Sequence, residues 1–163
     1  MATTKIQAAP QTAKRSFSAG SVISAIGRWI VRNRIYLIAF AIPAVLTYLA
    51  YALFGLYPFG EESVLCLDLN GQYVYYFEAL RDAFWGDGSI FYNWSRNLSG
   101  EFMGIIGYYL ASPFTLIVML LPEKFMLSSL LIMQLCKLGA AGATFNYFLQ
   151  KRRGVQPYPS LLF

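Results

Sequence analysis

Apolar and polar positions divide the chain into stretches of different rhythm. Residues 1–20 mix Ala, Thr, Ser, Gln and Lys without an apolar period, the composition of a disordered tail. From Ser21 onward Ile23, Ile26 and Ile30 recur at helical spacing with Trp29, Arg28, Arg32 and Arg34 beside them, which predicts a short helix on an anionic membrane surface. Ile35 to Tyr57 then runs 23 residues without a charge. At ~1.5 Å per residue such a helix crosses a hydrocarbon core of roughly 30 Å. The basic lead is too long for a cleaved signal peptide, so the reading is an uncleaved anchor kinked at Pro43.

Beyond the turn Tyr57-Pro58-Phe59-Gly60, Tyr73, Tyr76, Phe77, Leu80 and Phe84 fall on one helical face, with Glu78, Arg81 and Asp82 on others. The spacing predicts an amphipathic helix from about Leu69 to Trp85 at a membrane interface, stopped by Gly86-Asp87-Gly88. Phe102 to Pro122 is again uncharged over 21 residues. A full crossing there would put Lys151, Arg152 and Arg153 on the outer side, against the positive-inside rule. The expected arrangement is therefore a re-entrant or interfacial segment broken by Gly104, Gly107 and Ser112-Pro113, with a transmembrane helix as the alternative. Phe125 to Gln150 then crosses inward.

Charge sharpens the division. All 8 carboxylates lie between Glu61 and Glu123, whereas the residues before Ile35 carry bases alone. The net charge of +5 is explained by bases flanking apolar spans, which argues against a nucleic-acid partner. The expected organisation is a cytoplasmic basic tail with a surface helix (1–34), a transmembrane helix (35–57), an external acidic and aromatic loop (58–101), the re-entrant or interfacial segment (102–122), a second transmembrane helix (125–150) and a cytoplasmic linker (151–163) leading to a further span. The fold class is all-α integral membrane. With no histidine in the chain, His-based nucleophile activation and His metal sites are excluded within it.

Four blocks carry a resemblance: Tyr57-Pro58-Phe59-Gly60 after the first span; Asp68-Leu69-Asn70-Gly71-Gln72-Tyr73 opening the external helix; Tyr108-Tyr109-Leu110-Ala111-Ser112-Pro113-Phe114 in the broken segment; and Lys137-Leu138-Gly139-Ala140-Ala141-Gly142 in the last span. In that order and spacing, over roughly residues 35 to 155, the chain resembles the YfhO family of bacterial membrane proteins. Ser99 and Glu101 depart from the family's glycine pair and polar loop near that point. The resemblance implies a polytopic bundle of the lipid-donor glycosyltransferase type called GT-C, of which this chain would supply the first two transmembrane helices. It implies transfer of a sugar from a polyprenyl-phosphate donor to an envelope glycopolymer or lipid outside the plasma membrane, with a catalytic or metal-binding carboxylate in the first external loop.

Such chemistry needs a base for the acceptor hydroxyl and cations or a metal for the departing phosphate. Asp68 is the expected base, or the ligand if a divalent metal takes part; its plain alternative is a helix N-cap. Glu61 and Glu62 are nearer the span end and are further candidates, more commonly just solvated. Arg96 has no acid next to it in sequence and suits a phosphate, while Arg81 could meet a phosphate or pair with Glu78. Tyr73 and Trp94 suit an interfacial belt or a sugar-stacking platform. Lys137, near the centre of its span, needs a partner there: a lipid phosphate or an acid from another helix. A transporter or channel subunit, or a structural membrane protein, is the non-enzymatic alternative.

Overall fold

A computed structural model describes residues 19–94 and 100–162. The chain falls into two compact units, one ending at Arg34 and one beginning at Ile35. Among the described residues two helices are long and apolar enough to cross a membrane, Gly20–Leu53 and Glu123–Arg153.

The first helix, α1, runs unbroken over Ala19–Leu53. The surface helix expected as a separate element is thus its opening turns, because nothing between Ile30 and Ile35 breaks a helix: the stretch Val31-Arg32-Asn33-Arg34 holds neither Gly nor Pro. Within the first unit Asn33 Nδ2 donates to the Trp29 carbonyl at 2.8 Å, and Ile23, Ile26, Trp29 and Ile30 are exposed. The helix ends at Leu53, four residues short of the expected Tyr57. Gly55 stops it by taking a left-handed conformation (φ 64°), which glycine adopts at little cost.

In the second unit a π-helical turn, Leu69–Tyr73, leads into α2, Val74–Trp85, and Gly86 ends it. The predicted apolar face is largely realised: Phe77 and Leu80 are buried, with Tyr73 and Tyr76 packed beside them. Phe84 is the exception at 62% exposed. A two-residue hairpin follows, β1 (Tyr92–Asn93) against β2 (Gly100–Glu101).

The apolar segment after it is not one helix. It comprises α3, Met103–Ile105, continued by a π-helical turn, Ile106–Leu110, and after a break at Ala111–Phe114 a second short helix, α4, Thr115–Leu120. The break sits at Ser112-Pro113, where proline lacks the N–H that a continuing helix would need. Gly104 and Gly107 lie inside helical turns and break nothing. Gly104 instead donates its N–H to the Glu101 carboxylate, which caps the start of α3.

The last helix, α5, spans Met126–Arg153 and ends on Gly154 in the left-handed conformation (φ 65°). Its last turn therefore contains Lys151, Arg152 and Arg153, where cations favour the negative end of the helix dipole. A short 3₁₀ turn, Pro159–Leu161, folds back so that Ser160 accepts from Asn146 Nδ2 at 2.8 Å.

Within the second unit α1 and α5 are antiparallel, as a ladder of contacts shows. Tyr36 reaches Gln150 (3.5 Å), Pro43 faces Gly142, Tyr51 donates to Gln134 (2.7 Å) and Tyr57 meets Ser128 (2.6 Å). Rising numbers on one helix meet falling numbers on the other, so the end of α1 and the start of α5 lie at one end of the pair. Everything from Tyr57 to Ser128 leaves and returns there. The core at that end is built from Phe77, Leu80, Phe102, Leu110, Val118 and Leu130, with Phe102 fully buried.

Candidate functional site

The scaffold beneath the site is fixed by polar side chains of α2 that close the end of α4. Arg81 Nη1 donates to the carbonyls of Val118 (2.7 Å) and Met119 (3.3 Å) and also to Leu121, and Trp85 Nε1 donates to Met119 (3.0 Å). The last carbonyls of a helix have no intrahelical partner, and a guanidinium supplies several donors at once. Arg81 is thereby occupied as a helix cap.

On the other face of α2 a groove of about 320 Å³ opens between the Leu69–Tyr73 turn, the Ile106–Leu110 turn and the N-terminal half of α5. Its floor is apolar, with Leu69, Phe77, Leu130 and Met133; its polar groups are the phenols of Tyr73 and Tyr109, the Gln134 amide and the Lys137 ammonium. Tyr109 stands edge-on to Tyr73 at 5.1 Å between ring centres and tilted to Tyr76 at 5.3 Å, an aromatic cluster that stiffens the rim. Lys137 is exposed and makes no hydrogen bond or ion pair with the described residues. Gln134 lies one turn before it on the same face, its side-chain oxygen held by the Tyr51 hydroxyl.

Asp68 stands at the edge of this groove, immediately before Leu69. Its carboxylate is exposed and makes no capping hydrogen bond, so the N-cap alternative is not realised. Leu67 beside it takes a left-handed conformation (φ 49°) that is rare for a branched apolar residue and turns the chain sharply ahead of Asp68. Desolvation, then the neighbouring Tyr108, Tyr76, Tyr73 and Asp68, holds the Tyr109 phenol above its ordinary value.

Of the residues singled out from sequence, Tyr73 and Lys137 line this groove, and Asp68 adjoins it through Leu69. Tyr109 and Gln134 were missed as site residues, although Tyr109 sits in one of the four family-like blocks. Glu61 and Glu62 lie in the turn after α1, where the Glu62 carbonyl accepts from Tyr57 N at 2.7 Å, and neither lines the groove. Trp94 is 81% exposed on the hairpin, packed edge-on against Tyr92 at 4.8 Å and away from the groove lining. Arg96 lies outside the described residues. Among the described residues no three carboxylates or cysteines converge to hold a metal ion, and Asp68 alone is no cage for one.

A second cleft, of about 430 Å³, lies on the α4 side of α2, with Glu78, Asp82 and Glu123 around it. Desolvation, then Glu123 and Asp82, raises the Glu78 carboxyl above its usual range. Three carboxylates thus share a cleft that Arg81 also lines.

Two apolar antiparallel helices, each long enough to cross a membrane and joined by an aromatic, carboxylate-bearing connection, fit a helical membrane protein. A family model described as "Bacterial membrane protein YfhO" matches residues 39–163, which takes in the second half of α1, the groove and all of α5. The chain belongs to the YfhO family. No curated protein and no solved structure matches it.

Proposed function

We propose that this chain carries the donor-handling part of a membrane glycosyltransferase, which moves a sugar from a polyprenyl-phosphate carrier to an envelope glycopolymer or lipid on the outer face of the plasma membrane. The observation that carries this reading is a groove lined by Tyr73, Tyr109 and Lys137, with Asp68 next in sequence to Leu69 of its lining and within electrostatic reach of Tyr109. A carboxylate not used as a cap, phenols and a lone ammonium over an apolar floor are what an amphiphilic sugar phosphate requires.

The topology that goes with it keeps the basic residues before Ile35 and the Lys151–Arg153 cluster in the cytoplasm, by the positive-inside rule. The antiparallel pairing of α1 and α5 supports this, and the break at Ser112-Pro113 supports reading residues 102–122 as a re-entrant element. Irregular backbone at that depth is tolerated where protein covers it or where it borders a wet cavity.

In the proposed reaction the Asp68 carboxylate takes the proton from an acceptor hydroxyl, whose oxygen attacks the anomeric carbon. The bond from that carbon to the phosphate oxygen breaks, and its electron pair leaves with the lipid phosphate. The ammonium of Lys137 offsets the charge that collects on the phosphate. Lysine suits this as a compact charge on a flexible stem. Tyr73 and Tyr109 orient the sugar by stacking and hydroxyl contacts.

The test is the envelope glycan composition of cells producing the protein with Asp68→Asn, compared with wild type and a deletion at equal membrane levels. Loss of one sugar decoration in both mutant strains is the expected outcome. A deletion that leaves every glycan unchanged would overturn the enzyme reading and favour transport.

A further inference from the structure

Lys137 is not the sole hydrogen-bond donor that lines the groove. Gln134 precedes it by three residues on α5, which puts the two side chains on one face with about 5–6 Å between their Cβ atoms. An amide side chain has an acceptor end and a donor end, and which end faces the groove depends on what holds the other. Here the Tyr51 hydroxyl of α1 donates to Gln134 Oε1 at 2.7 Å, and Tyr51 is itself buried at 7% exposure. With its oxygen engaged by Tyr51, the amide has its NH₂ group to offer, and that group makes no hydrogen bond with the described residues.

We infer that Lys137 Nζ and Gln134 Nε2 form a two-point seat for a phosphate borne on a single hydrocarbon chain, with Tyr51 as the positioning residue that aims the amide. The chain lies on the apolar floor of Leu130, Met133 and Phe77, and the commitment to a single chain follows from the polyprenyl carrier proposed above. The seat distinguishes a phosphate, which accepts from both donors, from the matching alcohol, which presents a single weak acceptor. Tyr51 touches no lipid; it acts through Gln134. The inference rests on the lipid-phosphate reading above and adds to it the residues that recognise the phosphate.

The experiment measures binding of farnesyl phosphate and of farnesol to the purified full chain in detergent, with inorganic phosphate and phosphatidylglycerol as controls. The wild type is expected to prefer farnesyl phosphate to farnesol, and neither control should compete. Gln134→Ala and Lys137→Met should each weaken farnesyl phosphate about tenfold and leave farnesol unchanged. Tyr51→Phe should give a similar loss, again with farnesol unchanged, and should cost nothing further when combined with Gln134→Ala. A merely structural role for Tyr51 would weaken both ligands together. If the wild type binds the phosphate and the alcohol equally, the lipid-phosphate reading itself fails. Competition by inorganic phosphate alone overturns the lipid half of the inference, and competition by phosphatidylglycerol overturns its single-chain half. If the wild type discriminates but Gln134→Ala and Tyr51→Phe discriminate equally well, the seat is Lys137 alone and this inference fails while the broader reading stands.

Discussion

Gly142 of α5 faces the Ala39 carbonyl of α1 so closely that a Cβ there would collide with its oxygen and lie 2.9 Å from Pro43 Cγ. The Ala39 carbonyl is the one that Pro43, four residues on and without an N–H, leaves unserved inside the helix. Close approach of a small-residue face compensates by bringing a partner backbone against it. Gly142→Ala should therefore destabilise the protein by about 1–3 kcal/mol, read as earlier thermal unfolding in detergent. Gly139→Ala should cost less, because its nearest neighbour, the Phe40 ring at 2.7 Å, can rotate away whereas a carbonyl cannot.

Arg81 provides a separation between structural and substrate roles. Its bonds to Val118 and Met119 make it a cap of α4, so Arg81→Met should lower stability by about 2 kcal/mol, with Arg81→Lys restoring only part. Donor binding by the folded fraction should not change. A fall in donor affinity without a fall in unfolding temperature would return Arg81 to the phosphate.

The acidic cleft predicts a pH dependence. Glu78 has a raised folded-state value, caused by desolvation and then by Glu123 and Asp82, so the folded protein holds this proton more tightly than the unfolded chain does. The penalty is complete above the raised value and shrinks as pH falls through it toward the ordinary carboxylate range. Glu78→Gln should stabilise the protein at neutral pH and flatten this part of its stability profile, as thermal unfolding across pH would record.

The antiparallel helix pair predicts sidedness. With Cys66 and Cys136 replaced, Lys124→Cys should react with an impermeant thiol reagent from outside intact cells, and Lys151→Cys only after permeabilisation. Labelling of position 124 from the cytoplasm alone would contradict the re-entrant segment.

Much of this arrangement was legible in the sequence, for identifiable reasons. The apolar stripe of α2 was readable because Phe77 and Leu80 recur at helical spacing, and the break ahead of α4 because Pro113 interrupts the segment. The length of α1 was not, since its basic stretch looked like surface although it contains no breaker. Asp68, Tyr73 and Lys137 stood out through charge, aromaticity or depth. The convergence of Tyr73 and Lys137 with Tyr109 and Gln134 depends on chain folding over long separations, which local patterns do not encode. The role of Arg81 was hidden for the same reason: its partners are backbone carbonyls, which every residue has.

The most direct test of the account separates donor binding from sugar transfer in purified protein with Asp68→Asn, supplied with a polyprenyl-phosphate sugar and an envelope glycopolymer acceptor. A general base contributes on the order of 10²–10⁴-fold, so turnover should fall by at least two orders of magnitude while donor affinity is retained. Turnover equal to wild type would contradict the account, since the groove would then hold a donor whose chemistry Asp68 does not perform.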